Sequence, residues 1–150
     1  MGLDLSEAYC CHAQSHLSRW SRVSLIVGNA ETIPAPDDSF DAATCIFTFH
    51  ELPPQARRNA IRGCARVLKP GGRLVLLDSL QRGDVQDYDA MLERFPQNYH
   101  EPYFGSYIDE DFSAIARQFG LMHKRDVTAF VSKVMVFDKS QRKTRGQLNR

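Results

Sequence analysis

Residues 66–81 read RVLKPGGRLVLLDSLQ, and this pattern predicts a helix end, a turn and then a buried strand. The run RLVLLD is apolar almost without interruption, which is typical of a strand that is covered on both faces in a parallel sheet. Pro70, Gly71 and Gly72 favour a break before that strand, because glycine and proline commonly end helices. The stretch therefore predicts an α/β protein.

The residues before this stretch predict alternating strands and helices. A helix begins at Pro54, where a missing N–H costs nothing, and its apolar side chains recur at helical spacing as far as Leu68. The other elements predicted upstream are a strand at residues 42–49, a strand at 23–27, a helix at 6–20 capped by Ser6, and a strand end at 2–4.

The residues after the stretch predict two helices and a closing hairpin. We expect a helix near residues 85–94, a second helix at 110–118 capped by Asp109, and antiparallel strands at 123–130 and 132–139. Strand–helix alternation predicts a mostly parallel sheet with helices on both faces, ending in this antiparallel hairpin.

Composition limits the possible functions. With 150 residues the chain has room for one domain, and 19 basic against 18 acidic residues argue against a nucleic-acid binder. No acid follows Asp138, so we expect a basic, disordered tail at residues 139–150. A solvated terminus is the simpler interpretation of this tail, and a contact with nucleic acid or a membrane surface is the alternative.

Cysteine usage and hydropathy suggest a cytoplasmic protein. None of the four cysteines has C-x-x-C spacing, so we expect neither a metal site nor a disulfide framework. No apolar run approaches the ~20 residues of a membrane span, and Asp4 and Glu7 occupy the place of the basic region of a signal peptide.

The residues that directly follow strands are the candidate ligand contacts, because ligands of α/β sheets bind beyond the carboxyl ends of strands. Asp4 could accept the hydroxyls of a ribose, or it could cap a helix or remain solvated. Asn29 could meet an adenine amino group, and Ala30 would leave room for the ring.

Three motifs in this order carry a family resemblance. GLDLSEA (residues 2–8), VGNAETIPAPDDSFDAATCIFTFHELP (27–53) and RVLKPGGRLVLLDSLQ (66–81) together resemble the class I S-adenosylmethionine-dependent methyltransferases. The chain is most similar to the ubiquinone/menaquinone methyltransferase-like, type 11 group, over about residues 2–138. The resemblance implies a Rossmann-like methyltransferase fold, S-adenosyl-L-methionine as cofactor, and methyl transfer to a small apolar or aromatic molecule.

The resemblance also implies roles for individual residues. Asp4 matches the ribose-binding acid, and Asn29 with Ala30 matches the adenine-contacting turn, which often carries Asp in place of Asn29. Phe47 and Thr48 match the strand end that lies along the methionine portion of the cofactor. In a further departure from the family pattern, Gly63 stands where a Glu is usual, which removes a helix-favouring residue.

His50 is the candidate catalytic base, because it follows a strand and can take a proton near neutral pH. A capping or substrate-orienting role is the alternative for His50. Glu51 could orient His50 and contact substrate, or it could simply begin the loop. Asp78 and Gln81 are weaker candidates for the site.

The aromatic segment, residues 95–107, reads FPQNYHEPYFGSY and holds five aromatic residues and a histidine. It follows the strand that the family uses to support a substrate wall. Tyr99, His100 and Tyr103 are therefore the predicted substrate-binding residues, by contact with an apolar ring or with the sulfonium cation. Packing of this segment against the sheet is the alternative.

No G-x-G motif occurs in the sequence, although the family fold begins with a strand, a glycine-rich turn and a helix. We therefore expect residues 1–138 to be the carboxyl-terminal two thirds of a methyltransferase domain that lacks its first strand and helix, and to be weak or inactive alone. Self-association through exposed sheet edges follows as an expectation. The alternative function is a non-catalytic Rossmann-like module that binds a partner; a nicotinamide dehydrogenase fits the HELP and RVLKPGG context less well.

Overall fold

The computed structural model describes residues 1–141, and residues 142–150 of the basic tail lie outside the described part. The strands are β1 (Gly2–Asp4), β2 (Leu25–Val27), β3 (Phe40–Ile46), β4 (Leu68–Ser79), β5 (Leu121–Ala129) and β6 (Ser132–Lys139). The helices are α1 (Glu7–Leu17), α2 (Pro54–Val67), α3 (Asp89–Asn98), α4 (Phe104–Ile108) and α5 (Phe112–Gln118). Two 3-10 turns follow strands, at Ala30–Thr32 and at Phe49–Glu51.

The strands form two sheets. β1 and β2 pair in parallel as a small sheet, while β3, β4, β6 and β5 form a large sheet in that order. β3 and β4 are parallel, and β6 is antiparallel to both of its neighbours. The α/β class, the parallel pairs and the closing hairpin are thus confirmed, and the large sheet is mixed, with one parallel and two antiparallel pairs.

No strand within residues 1–141 joins β1 to β3, so the sheet has the interruption that the expected absence of the first strand would leave. β1 and β3 each pair on one side only, and three-residue strands offer few hydrogen bonds with which to bridge two sheets.

The core lies between the large sheet and its helices. Leu74 and Leu76 of β4 are fully buried, and they belong to one apolar cluster with side chains of α2, α4 and α5. Within residues 1–48, by contrast, only Cys10 is buried. None of the helices within residues 1–141 is long and apolar enough to cross a bilayer.

Local capping explains where the helices begin. Ser6 caps α1 as predicted, and its Oγ accepts a hydrogen bond from Tyr9 N at 3.3 Å. The predicted cap of α5 is wrong, because Asp111 rather than Asp109 accepts from Ala114 N, at 2.9 Å. Asp109 is instead engaged by the Arg82 guanidinium. The competing ion pair therefore moves the helix start by two residues.

The predicted turn at residues 70–72 is a bulge. Phe40 pairs with Leu68 and Ala42 with Arg73, so four residues of β4 (69–72) lie opposite the single residue Asp41 of β3. Gly71 has φ +80°, a conformation that glycine adopts without strain. α2 therefore runs directly into β4.

The start of α3 differs from the prediction, whereas the bounds of β6 match the predicted strand at 132–139. α3 begins at Asp89, whose Oδ1 accepts from Gly83 N at 2.9 Å, and it includes Pro96. β6 extends through Lys139, whose ammonium contacts Asp38 and the Leu68 carbonyl. These contacts order the first residue of the predicted tail, and the rest of that prediction from residue 142 onward lies outside the described residues.

Candidate active site

The carboxyl ends of β3 and β4 bring two segments together. Ile46 pairs with Leu77, so the residues that follow each strand become neighbours. On the β3 side this places the 3-10 turn Phe49–Glu51, called here the His50 turn. On the β4 side it places Asp78.

Asp78 is a buried carboxylate that accepts four hydrogen bonds. It is 1% exposed; Oδ2 accepts from the backbone N–H groups of Thr48 (3.1 Å) and Phe49 (2.7 Å). Its Oδ1 accepts from Ser79 N at 2.8 Å and from Nδ1 of His50 at 2.6 Å. Four donors around an acceptor-only group are the arrangement that stabilises an ionised carboxylate in a buried place.

This contact fixes the tautomer of His50. Because Asp78 only accepts, Nδ1 carries the proton and Nε2 keeps its lone pair. The hydrogen bond to Asp78 raises the pKa of His50 above its ordinary value, and the nearby charges of Asp78, Glu101 and Glu51 act in the same direction against burial. The His50 side chain is 13% exposed, so solvent is largely excluded from it.

The residue that orients His50 is Asp78 and not Glu51. The Glu51 carboxylate is 65% exposed, and its Oε1 lies 3.9 Å from Nε2, beyond hydrogen-bond distance. Asp78 was the weaker candidate in the sequence, because its role depends on a partner 28 residues away.

A third acid approaches the same histidine. One ligand atom each of His50, Glu51 and Glu101 lies within 4.8 Å of the others, a spacing at which a cation could be held. No metal site was expected from the sequence. Glu101 lies in the loop before α4, and no sequence pattern marked it as a site residue. Within residues 1–141, these three residues form the group of potential metal ligands whose ligand atoms lie close together.

The aromatic side chains that contact His50 are Phe104 and Tyr107. Both rings meet the imidazole edge-on, with centroids 6.2 Å away. The Tyr107 hydroxyl donates to the Ser79 carbonyl at 2.6 Å, and burial raises the pKa of this phenol well above its usual range. The part of the aromatic segment that contains Phe104 and Tyr107 therefore packs in the core, as the alternative of packing against the sheet predicted.

The three predicted substrate residues lie further out. Tyr99 is exposed, stacks on Phe95 with centroids 4.7 Å apart, and lines an open cavity of about 630 Å³ along α3. His100 is exposed beside it, and Tyr103 is partly exposed immediately before α4. Their role as a substrate wall stays a prediction.

The Gln81 side chain makes structural hydrogen bonds and does not face an open site. Its amide nitrogen donates to the carbonyls of Tyr107 (2.9 Å) and Glu110 (2.7 Å). The amide oxygen accepts from the buried ammonium of Lys133. These bonds hold α4 against the end of β4.

Arg57 is a functional candidate that the sequence analysis missed. Its side chain is fully buried, on the same face of α2 as Ala60, Ile61 and Cys64. The helical spacing from Arg57 to these three apolar residues was the available signal.

Two of the predicted cofactor residues follow β3. Phe47 has φ +47° and its side chain is half exposed, which is an uncommon backbone conformation for a bulky residue. Its N–H donates to the Leu77 carbonyl at 2.8 Å, and Asp78 then holds the N–H of Thr48. The structure thus brings Phe47, Thr48 and His50 together.

The other predicted cofactor residues lie on the small sheet. Asp4 ends β1 and is exposed; its Oδ1 accepts from Ser6 N at 2.8 Å, while Oδ2 accepts no hydrogen bond from the described residues. Asn29 caps the turn Ala30–Thr32 through Oδ1, which accepts from Glu31 N at 2.8 Å. The Gly28 N–H donates to the Asp4 carbonyl, so both side chains follow the same end of the sheet.

Gly63 allows the turn Ala30–Thr32 to approach α2. A Cβ at Gly63 would lie 3.2 Å from the Ala30 carbonyl oxygen and 3.4 Å from Cδ1 of Ile33. The departure from the family pattern at this position therefore has a packing reason. The close approach to Gly63 therefore packs Ala30 against α2, the helix that follows His50 in the sequence.

The arrangement fits a nucleoside ligand at Asp4 better than at Asn29. A free carboxylate oxygen at a strand end is a suitable acceptor for ribose hydroxyls. The Asn29 oxygen already accepts one hydrogen bond and its Nδ2 donates to Glu31 Oε1 at 3.4 Å, so one lone pair and one amide N–H remain for an adenine ring.

Comparisons with known proteins agree with this fold. A family model described as a methyltransferase domain matches residues 1–72. The chain is 32% identical over 111 residues to a demethylmenaquinone methyltransferase of Lysinibacillus sphaericus, covering 74% of this chain and 46% of that protein. It is 38% identical over 74 residues to the ubiquinone/menaquinone biosynthesis C-methyltransferase UbiE of Methylobacterium nodulans, covering 49% of this chain and 28% of that protein.

Among solved structures, the YcgJ protein of Bacillus subtilis shares the fold, with a TM-score of 0.68 and 21% identity over 93% of this chain and 82% of that one. The chain spans less than half of the length of the two curated relatives above. By sequence and by fold, the chain belongs to the class I S-adenosylmethionine-dependent methyltransferase family.

Proposed function

We propose that this chain contributes the proton-accepting and substrate-facing half of a methyltransferase that acts on a small apolar or aromatic molecule, with a quinone-type ring as the favoured acceptor. The observation that carries the proposal is the contact between His50 and Asp78, which leaves a lone pair on Nε2 beside Phe104 and Tyr107. The names of the two curated relatives support the acceptor class.

The residues of the chain divide the work. S-adenosylmethionine, when bound, supplies an electrophilic methyl group on a sulfonium ion. Asp4 would hold the ribose, Asn29 and Ala30 would face the adenine, and Phe47 and Thr48 would border the methionine portion. These five positions remain proposals that rest on the family resemblance and on their places at strand ends.

His50 would handle the proton that the acceptor loses. Methyl transfer to carbon, oxygen or nitrogen requires a nucleophile, and a hydroxyl or ring proton must leave during the reaction. Nε2 of neutral His50 can take this proton, and Asp78 then stabilises the resulting imidazolium. The pKa of His50 is raised. On acidification, His50 therefore becomes protonated, and stops acting as a base, at a higher pH than an ordinary histidine.

Ligand binding is the first test. Saturation-transfer NMR with the 150-residue chain and millimolar S-adenosylmethionine suits weak binding, which we expect because β1 and β3 have unpaired edges. Asp4→Ala should weaken binding by about 10-fold or more, since a hydrogen bond to a charged group contributes about 1.5–3 kcal/mol. Glu7→Gln, an exposed acid on α1, is the matched control and should leave binding unchanged. Equal binding by the Asp4 variant contradicts the ribose role.

Methyl transfer is the second test. Tritium-labelled S-adenosylmethionine is incubated with the chain and with reduced demethylmenaquinone, and label in the quinone fraction is counted. His50→Gln should lower the rate by about 10²-fold or more if the imidazole is the base. Transfer to another phenol, tested in parallel, without transfer to this acceptor contradicts the quinone class. Transfer that is unaffected by His50→Gln contradicts the base.

A further inference from the structure

Arg57 makes contacts that go beyond anchoring one helix. Its guanidinium is fully buried and reaches three separate segments. Nε donates to the Phe49 carbonyl at 2.9 Å, and one terminal nitrogen donates to Glu110 Oε2 at 3.1 Å. The other terminal nitrogen donates to the Tyr103 carbonyl at 2.7 Å and to Ser106 Oγ at 3.0 Å.

These contacts complete a clamp on the His50 turn. Asp78 accepts from the N–H groups of Thr48 and Phe49, and Arg57 donates to the carbonyl of Phe49, the residue directly before His50. The turn is therefore held by a buried anion through its N–H groups and by a buried cation through its carbonyl. Few other conformations of the turn would keep both charged groups hydrogen-bonded, because Asp78 and Arg57 each lose their hydrogen bonds to the turn if it rotates.

The same guanidinium holds the beginning of α4. Ser106 Oγ accepts from Arg57 and donates to the Tyr103 carbonyl at 2.8 Å, so three polar groups close around this end of the helix. The two rings that face His50, Phe104 and Tyr107, lie on this short helix. With five residues, α4 has little stability of its own and depends on such contacts.

We propose that Arg57 is a positioning residue that couples the His50 turn to α4, and so sets the placement of the His50 imidazole against the Phe104 and Tyr107 rings. The inference rests on the proposed function, because it concerns the base named there. Lysine cannot replace arginine in this role, since one ammonium cannot span the Phe49 carbonyl, Glu110 and Ser106 at once.

The test is Arg57→Lys, which keeps the charge and removes the fork. In a chain labelled with ¹⁵N-histidine, the pH titration of His50 is followed by NMR, with His50→Gln to assign its signal. We expect the pKa of His50 to fall towards its ordinary value, because a loosened turn weakens the contact with Asp78. Amide hydrogen exchange in α4 should become about tenfold faster, which corresponds to the loss of a charged hydrogen bond.

A merely structural role gives a different result. If Arg57 only anchors α2, the variant loses thermal stability while the titration of His50 is unchanged, and this outcome overturns the proposal. Faster exchange in α4 with an unchanged His50 titration overturns it as well. Arg58→Lys is the matched control, because Arg58 is a partly exposed neighbour that contacts Gln118, and it should leave both measurements unchanged.

A milder variant covers the case in which Arg57→Lys does not fold. Ser106→Ala removes one acceptor of the guanidinium at an exposed position. Exchange in α4 should then rise severalfold, with a smaller fall of the His50 pKa; unchanged exchange overturns the proposal. Neither measurement uses cofactor or acceptor, so failure of the Arg57 proposal is distinguishable from failure of the methyl-transfer proposal.

Discussion

The two sheets of this protein differ in how firmly they are built. The large sheet has strands of seven to twelve residues, carries a continuous core and places Asp78 and His50. The small sheet has two strands of three residues each and places Asp4 and Asn29. The proposed proton chemistry therefore lies on the well-packed part, and the proposed cofactor contacts lie on the poorly packed part.

The difference indicates how the site can work. A general base needs a fixed orientation, which buried hydrogen bonds supply. A binding surface can be ordered by its ligand, at a cost in affinity. The two parts are joined mainly through the turn Ala30–Thr32, which packs on α2 and contacts Gly63.

The largest expected effect contrasts the two sheets directly. Leu74→Ala in β4 should lower the free energy of unfolding by about 2–5 kcal/mol, since it leaves a cavity in the core. Val27→Ala in β2 should cost no more than about 0.5 kcal/mol, because this side chain is 51% exposed. Urea unfolding of both variants measures the difference. Equal costs would show that the small sheet is as well packed as the large one.

The second prediction concerns the buried charge of the large sheet. Asp78→Asn should cost about 1–3 kcal/mol, because the new NH₂ group faces N–H donors where an oxygen stood. Urea unfolding measures this loss. Glu51→Gln, a change of an exposed acid on the same turn, is the control and should be near neutral. A neutral Asp78 variant would contradict the clamp on the His50 turn.

The same variant changes the pH dependence of stability. The pKa of His50 is raised in the folded state by Asp78, so proton binding favours folding. This contribution is fully present below the ordinary histidine pKa of 6.5 and is lost as the pH rises through the higher folded value. Unfolding free energies across this window should fall with pH in the parent chain and fall less in Asp78→Asn. An equal slope in both would assign the dependence to other groups.

The smallest effect tests the joint between the two parts. Gly105→Ala in α4 meets open space and should stabilise by about 0.5–1 kcal/mol through helix propensity. Gly63→Ala in α2 gains the same propensity but crowds the Ala30 carbonyl at 3.2 Å, so its net gain should be smaller or negative. Thermal unfolding compares the pair. Equal gains would mean that the turn Ala30–Thr32 moves away at no cost.

The sequence by itself determined the local elements of this protein and the strand ends where ligands are expected. The cap at Ser6, the proline start of α2, the apolar strand β4 and the final hairpin follow from chemistry within a few residues, which is visible in any short window. The position of His50 after β3 was predictable for the same reason. The family motifs added the cofactor residues, which stay a prediction.

Only the tertiary structure decided which groups meet. Asp78 reaches His50 across 28 residues, and Arg57 reaches the Tyr103 carbonyl across 46. The Asp109 cap failed because Arg82 competes for its carboxylate across 27 residues. Such contacts have no local signature: each charged group depends on a partner that is distant in the sequence, and the partner is fixed only when the strands are paired and the helices packed.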